Sequence, residues 1–188
     1  MIRNTILSIL ALLPSVCFAE IIEVESEQNI LKYDYNPTEK TATLIGGTTE
    51  DGPLDIPEVI TIDGEKIPVV AIASGAFVNN ENITSFRVGA NVTKIESKAF
   101  NNCPNVSSLF LYAGSKPIEL AADCFEACSL EDLYIDRPMR GADMSMSVES
   151  FANSKTLLSA WIKGNVDFLT SGTFANCPAL YVVEIKES

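Results

Sequence analysis

The chain has 188 residues, no histidine, and 13 Lys and Arg against 25 Asp and Glu, for a formal net charge of −12. That balance argues against nucleic acid or an anionic membrane as partner, since both need a basic footprint. Without histidine, Ser-His-Asp and Cys-His catalytic arrangements are excluded, and the length suits one domain with a continuous core.

Residues 1–19 read as a signal peptide. Met1-Ile-Arg3 is a basic start, Ile6 to Leu13 is an apolar run, and Cys17-Phe-Ala19 forms a cleavage edge before Glu20. The run is short for a bilayer span, and no later segment is long and apolar enough to cross a membrane. Cys17 raises the alternative of a lipoprotein anchor, but a lipobox wants a small residue where this chain has Val16. Cleavage after Ala19 is therefore the expectation.

Residues 20–70 read as an amino-terminal β cap. Ile30–Tyr35 and Thr41–Ile45 alternate around Asn36-Pro-Thr-Glu39 and predict a hairpin. Gly46–Gly52 reads as a polar loop, and Leu54-Asp-Ile56 as the strand of a degenerate first coil. Val59–Ile62 and Lys66–Val70 flank Asp63-Gly64, a two-residue hairpin signal.

From residue 71 onward the chain repeats. Phe77, Phe100, Phe125, Phe151 and Phe174 are spaced by 23, 25, 26 and 23 residues. Apolar side chains follow at fixed offsets: Ile83, Phe86, Val88; Val106, Leu109, Leu111; Leu130, Leu133, Ile135; Leu157, Ala160, Ile162; Leu180, Val183, Ile185. Five copies in register predict a leucine-rich-repeat solenoid over 71–188, an α/β solenoid dominated by β. Each copy ends in an alternating strand with one apolar face. Ser74, Ser97 and Ser171 lie three residues before a repeat Phe and predict the cap of a short helical turn. The expected architecture is thus a parallel sheet on one face, helical turns on the other, and a buried column of the five Phe.

Val92-Thr-Lys-Ile95, Ala99-Phe100 and Asn102-Cys103, followed by Leu-x-x-Leu-x-Leu spacing, resemble the BspA-like leucine-rich repeats of bacterial surface proteins. The resemblance covers about residues 54–188 and is weakest in the Phe151 copy, where Ser154 replaces Cys and Ala160 replaces Leu. It implies an extracellular or surface-anchored protein, with adhesion among the family's roles.

Cys103, Cys128 and Cys177 each lie three residues after a repeat Phe, and Cys124 one before. Stacked coils about 4.8 Å apart bring Cys103 and Cys128 near bonding distance, and secretion permits oxidation. Asn80 and Ser154 hold the equivalent places, so the register asks for a small residue rather than a bridge, and packed thiols are the expectation. Single Cys at repeat spacing, with no His, make no zinc site. Glu131-Asp132 and Asp136 read as a solvated acidic edge. The chain therefore has no candidate catalytic set, metal site or cofactor, and it reads as a non-enzyme.

What remains is the solvent face of the predicted sheet. Arg87, Phe110, Tyr134, Trp161 and Glu184 fall between the inward positions, and Gly89, Tyr112, Asp136, Lys163 and Lys186 lie two further on. The binding face is expected at Arg87, Phe110, Tyr112, Tyr134, Trp161 and Lys163. Two readings stay open: cross-strand pairs that stabilise the sheet, and a platform for a protein or glycan partner. The corresponding function is a secreted or surface-exposed binding module. The alternative is an assembly module that self-associates end to end through residues 181–188, where Val183 and Ile185 sit near an edge. Arg137–Met144, in the longest repeat, is expected to bulge as a mobile basic loop.

Overall fold

The computed structural model describes residues 20–26, 28–141, 144–145, 147–164 and 166–186. Residues 1–19, where a signal peptide with Cys17 is expected, and Glu187 and Ser188 of the terminal segment lie outside the described residues.

Alternation of apolar and polar side chains builds strands throughout. β1 (Glu20–Glu25), β2 (Asn29–Asn36) and β3 (Thr41–Thr49) form an antiparallel meander. At the β2–β3 turn, Asn36 Oδ1 accepts from the Thr38 and Glu39 amides at 3.0 and 3.1 Å. Gly46–Gly52 is not a loop: β3 runs on to Thr49 past a bulge at Ile45, and β4 (Gly52–Ile56) begins at Gly52. β5 (Val59–Ile62) and β6 (Glu65–Ile72) pair antiparallel across Asp63-Gly64, both at positive φ.

From there the chain coils. Each of the first four turns of the coil contributes a strand to each of two sheets, with the repeat Phe at the corner between them, and the fifth contributes to the second sheet alone among the described residues. The first sheet continues the amino-terminal strands in the order β1-β2-β3-β6-β8-β10-β12, where β8 is Lys94–Ile95, β10 is Ile118–Leu120 and β12 is Met139–Gly141. The second has the order β14-β13-β11-β9-β7-β4, all parallel, with β7 Ile83–Val88, β9 Ser108–Leu111, β11 Asp132–Ile135, β13 Ser159–Lys163 and β14 Val182–Lys186. The inward side chains of both sheets, Ile72, Ile95 and Leu120 on one side and Val88, Leu109 and Leu133 on the other, are buried in one core.

Phe77, Phe100, Phe125 and Phe151 are buried, and Phe174 is partly buried at the end of the column. Successive rings stack at 5.9, 5.6, 5.9 and 6.3 Å between centroids. Phe86, an inward strand residue, lies 3.9 Å from the Phe100 ring and closes the column from the opposite sheet.

The expected helical turns are absent among the described residues: the segments carrying the Phe are non-helical turns. The residue two after each Phe takes a left-handed conformation, at Asn79, Asn102, Ala127, Asn153 and Asn176. Asn adopts that region more readily than other non-glycine residues. Left-handed backbone ends any helix there and aims the amide groups at the neighbouring coil. Phe77 N–H donates to Ala99 O at 2.8 Å, Asn79 N–H to Asn101 O at 3.0 Å, Phe100 N–H to Cys124 O at 2.9 Å and Asn102 N–H to Glu126 O at 2.8 Å. Ser74 and Ser97 likewise reach the neighbouring coil instead of capping a helix. Ser74 Oγ donates to Ser97 O at 2.9 Å, and Ser97 Oγ to Asp123 Oδ2 at 2.8 Å.

Cys103, Cys124, Cys128 and Cys177 are free thiols. Three form a ladder of their own, each donating to the repeat Phe carbonyl of the preceding coil: Cys103 to Phe77 (3.2 Å), Cys128 to Phe100 (2.9 Å) and Cys177 to Phe151 (3.2 Å). Contact with the Cys103 thiol, and burial, raise the proton affinity of Cys128, while the same contact lowers that of Cys103.

The expected basic loop at Arg137–Met144 is corrected over its described part. Met139–Gly141 is strand β12, parallel to β10, with Met139 buried. Arg137 is only 2% exposed; its guanidinium donates to Lys116 O at 2.8 Å and reaches Gly89 O at 3.5 Å. A Cβ on Gly114 would stand 2.8 Å from the Arg137 Cζ, so glycine makes the room. Burial without a carboxylate partner lowers the Arg137 pKa. The arginine is thus a brace across three coils. Ala142 and Asp143 lie outside the described residues.

Candidate interaction face

Parallel pairing of β4, β7, β9, β11, β13 and β14 sets one row across the second sheet: Asp55, Arg87, Phe110, Tyr134, Trp161, Glu184. Strands sit about 4.8 Å apart, and the aromatic rings match that spacing. Phe110 and Tyr134 stack at 4.5 Å with planes 3° apart, and Tyr134 and Trp161 at 4.7 Å with planes 7° apart. All three are half-buried.

This geometry decides what the row offers. Both faces of Tyr134 and one face each of Phe110 and Trp161 are covered by a neighbouring ring, so the row presents mainly ring edges. The outer face of Phe110 carries the Arg87 guanidinium, 5.9 Å from the ring centroid, a cation–π distance. Arg87 also pairs with Asp55 at 3.3 Å. The row therefore runs acid, cation, three rings, acid. Asp55 was not singled out in the sequence, although it stands between inward Leu54 and Ile56 as Arg87 stands between Phe86 and Val88.

The second row behaves differently. Tyr112 is 48% exposed, the most open aromatic of this face. Lys163 is exposed and pairs with Asp136 at 3.3 Å, while Lys186 pairs with Glu184 at 3.2 Å. Tyr112, Tyr134, Asp136, Trp161 and Lys163 line a shallow groove of about 200 Å³ between the rows. On the other side of the aromatic row, Ser159 Oγ donates to the Asp132 carboxylate, which ties β13 to β11. Of the six expected face residues, the groove and row bring Phe110, Tyr112, Tyr134, Trp161 and Lys163 together, and Arg87 caps the stack at one end.

At the far edge, β14 leaves Tyr181 (74%), Val183 (43%) and Ile185 (51%) exposed. No cluster of three metal-ligating side chains occurs among the described residues, and none of their helices is long and apolar enough to cross a membrane.

Known proteins share this architecture. A leucine rich cell surface protein from Faecalibacterium prausnitzii A2-165 superposes with a TM-score of 0.51 at 20% identity, over 87% of this chain and 42% of that one. A leucine-rich repeat protein from Bacteroides capillosus ATCC 29799 gives 0.50 at 22% identity, over 87% of this chain and 98% of the other. The T. pallidum leucine rich repeat protein gives 0.51 at 16% identity, over 84% and 80%. The chain thus spans less than half of the first of these. At such identities the likeness is one of fold. Comparison with curated proteins gives no match. The BspA type leucine rich repeat region matches residues 70–188 in six copies, one more than the five Phe-centred copies. With that pattern over more than half its length, the chain belongs to the BspA-type leucine-rich-repeat family.

Proposed function

We propose that the protein is a secreted or surface-exposed binding module that recognises a protein partner through the edge-on aromatic row and the groove beside it. The observation that carries this is the stacking itself. Sugar recognition by aromatic residues uses exposed ring faces, and here both faces of Tyr134 and one face each of Phe110 and Trp161 are taken up within the row. Ring edges, an open Tyr112 and flanking Lys163, Asp136, Arg87 and Asp55 make an apolar strip with a charged border. That combination suits a protein surface, whose contact regions pair an apolar centre with a polar rim and favour Tyr, Trp and Arg as anchors. Membership of a family whose structural relatives include a protein named as a cell surface protein supports the setting.

The test is the triple variant F110S/Y134S/W161S in binding assays against purified candidate surface proteins and glycans, with tryptophan emission of the native protein as a second readout. Loss of protein binding with the fold retained supports the reading. Unchanged binding, or a glycan ligand that needs the three rings, refutes it.

A further inference from the structure

The two edge strands of the second sheet differ in their cover. In β4 the inward residues Leu54 and Ile56 are buried. In β14 the inward residues Val183 and Ile185 stand open, although their partners in β13, Ala160 and Ile162, are buried. Phe174 and Leu180 of the same coil are only partly buried. No further strand pairs with β14 among the described residues. One edge is thus closed, and the other joins an apolar layer to an open row of backbone groups.

The direction of those groups follows from the bonds to β13. Val182 N–H donates to Leu158 O at 3.4 Å, and Lys186 O accepts from Gly164 N–H at 3.0 Å. Backbone groups alternate along a strand, so those of Val182, Glu184 and Lys186 face β13, while those of Val183 and Ile185 face outward. An edge of this kind is a template for another strand, and its side chains decide which strand fits.

A second β14, laid antiparallel about Ile185, meets these requirements. The outward amide and carbonyl of each Ile185 then face those of the other copy and form a hydrogen-bonded pair. In that register Glu184 of each copy falls opposite Lys186 of the other, and opposite charges across a strand pair are stabilising. Within one strand Glu184 and Lys186 already pair at 3.2 Å as exposed side chains. The four charges therefore close into an alternating ring in which each keeps the neighbour it has. Neighbouring registers lose this: centring on Glu184 sets two carboxylates opposite each other, and centring on Val183 sets Glu184 opposite Val182.

We propose that the protein associates with a second copy of itself through β14, in an antiparallel pairing centred on Ile185 that makes the two six-stranded sheets continuous and covers both open apolar layers. The interface is self-complementary, so it closes at two copies, and the buried β4 end offers no matching surface from which a fibre could grow. A two-fold axis standing across the sheet leaves both aromatic rows on the same side. This association does not rest on the binding role of that row.

The test is sedimentation velocity of the whole protein over a concentration series, with two exposed charge reversals, E184K and K186E. The native protein should pass from monomer to dimer as concentration rises, and exchange of the Ile185 amide should slow in parallel. Each single variant sets like charges across the joint and should weaken dimerisation by about tenfold or more. Mixed in equal amounts, the two variants place Lys opposite Glu at every pair, so a mixed dimer should form where neither variant dimerises alone. That recovery separates pairing between copies from any effect on the Glu184–Lys186 pair within one strand. The proposal is overturned by a native protein that stays monomeric, by variants that dimerise as the native protein does, by a mixture no better than its components, or by assemblies that grow beyond two copies.

Discussion

The first three coils and the last two are built from the same repeat, yet they are held together unequally. Between the first and second coils, both sheets are continuous. The turns exchange backbone hydrogen bonds, Asn102 bridges to Asn79, Cys103 reaches Phe77, and the Phe rings stack. Between the fourth and fifth, the sheet of β7 to β14 continues, and the Asn153–Asn176 and Cys177–Phe151 links persist, but the sheet ending at β12 does not extend further among the described residues. In a stacked array each coil is stabilised by its neighbours. Redundant ladders therefore let one part tolerate losses that another cannot. The shared element is the second sheet, and it carries the proposed binding face.

The largest effect expected from this contrast is at the Phe column. F100A, between two stacked neighbours, should cost about 3–5 kcal/mol in urea unfolding. F174A, at the partly exposed end, should cost less than half as much. Equal losses would erase the distinction.

Next in size is the joint between the third and fourth coils. Ala127 is a left-handed non-glycine residue that pays about 1 kcal/mol or more for its conformation. A127N should raise stability by about 1 kcal/mol, relieving that cost and extending the asparagine ladder. If it destabilises, asparagine at this position does not join the ladder.

Smaller still are the face residues. Y134S and W161S each remove one stacked pair or two from a half-buried row, so each should cost about 1 kcal/mol or less. Losses well above that would make the ladder chiefly a structural device. The smallest effect is at the capping pair: D55N should cost only about 0.2–1 kcal/mol, and 1 M salt should abolish the difference, as for exposed ion pairs.

The second sheet was legible because its strands obey two periods together, alternation along each strand and recurrence at the repeat length. Leu109-Phe110-Leu111 and Leu133-Tyr134-Ile135 carry both signals, and so placed the aromatic row. In the first sheet the amino-terminal hairpin strands were legible, but its repeat strands were not, since Lys94–Ile95 and Ile118–Leu120 are too short to alternate. The turns were misread as helical because Ser-x-x-Phe is a local capping signal, whereas alternate amides, between local three-residue turn bonds, reach residues 22 to 24 positions away. Arg137 was misread for a related reason. A charge in a long repeat suggests a solvated loop, and nothing in the local sequence announces the space that Gly114 leaves. The stacking of Phe110, Tyr134 and Trp161 follows from the register. That the rings turn their edges outward does not, because it depends on side-chain torsions.

The ladder bonds all run roughly along the axis on which the coils stack, and this fixes how the molecule bears a pull at its two ends. A load in that direction meets the joints in series, so they open one after another instead of sharing the force. Each coil of 23 to 26 residues then releases roughly 80 Å of chain as it peels away, at about 3.3–3.6 Å per extended residue. Under tension the array is a stepwise extensible tether whose sparsely tied carboxyl-terminal coils yield first, while the braced coils around Arg137 and Phe100 still hold.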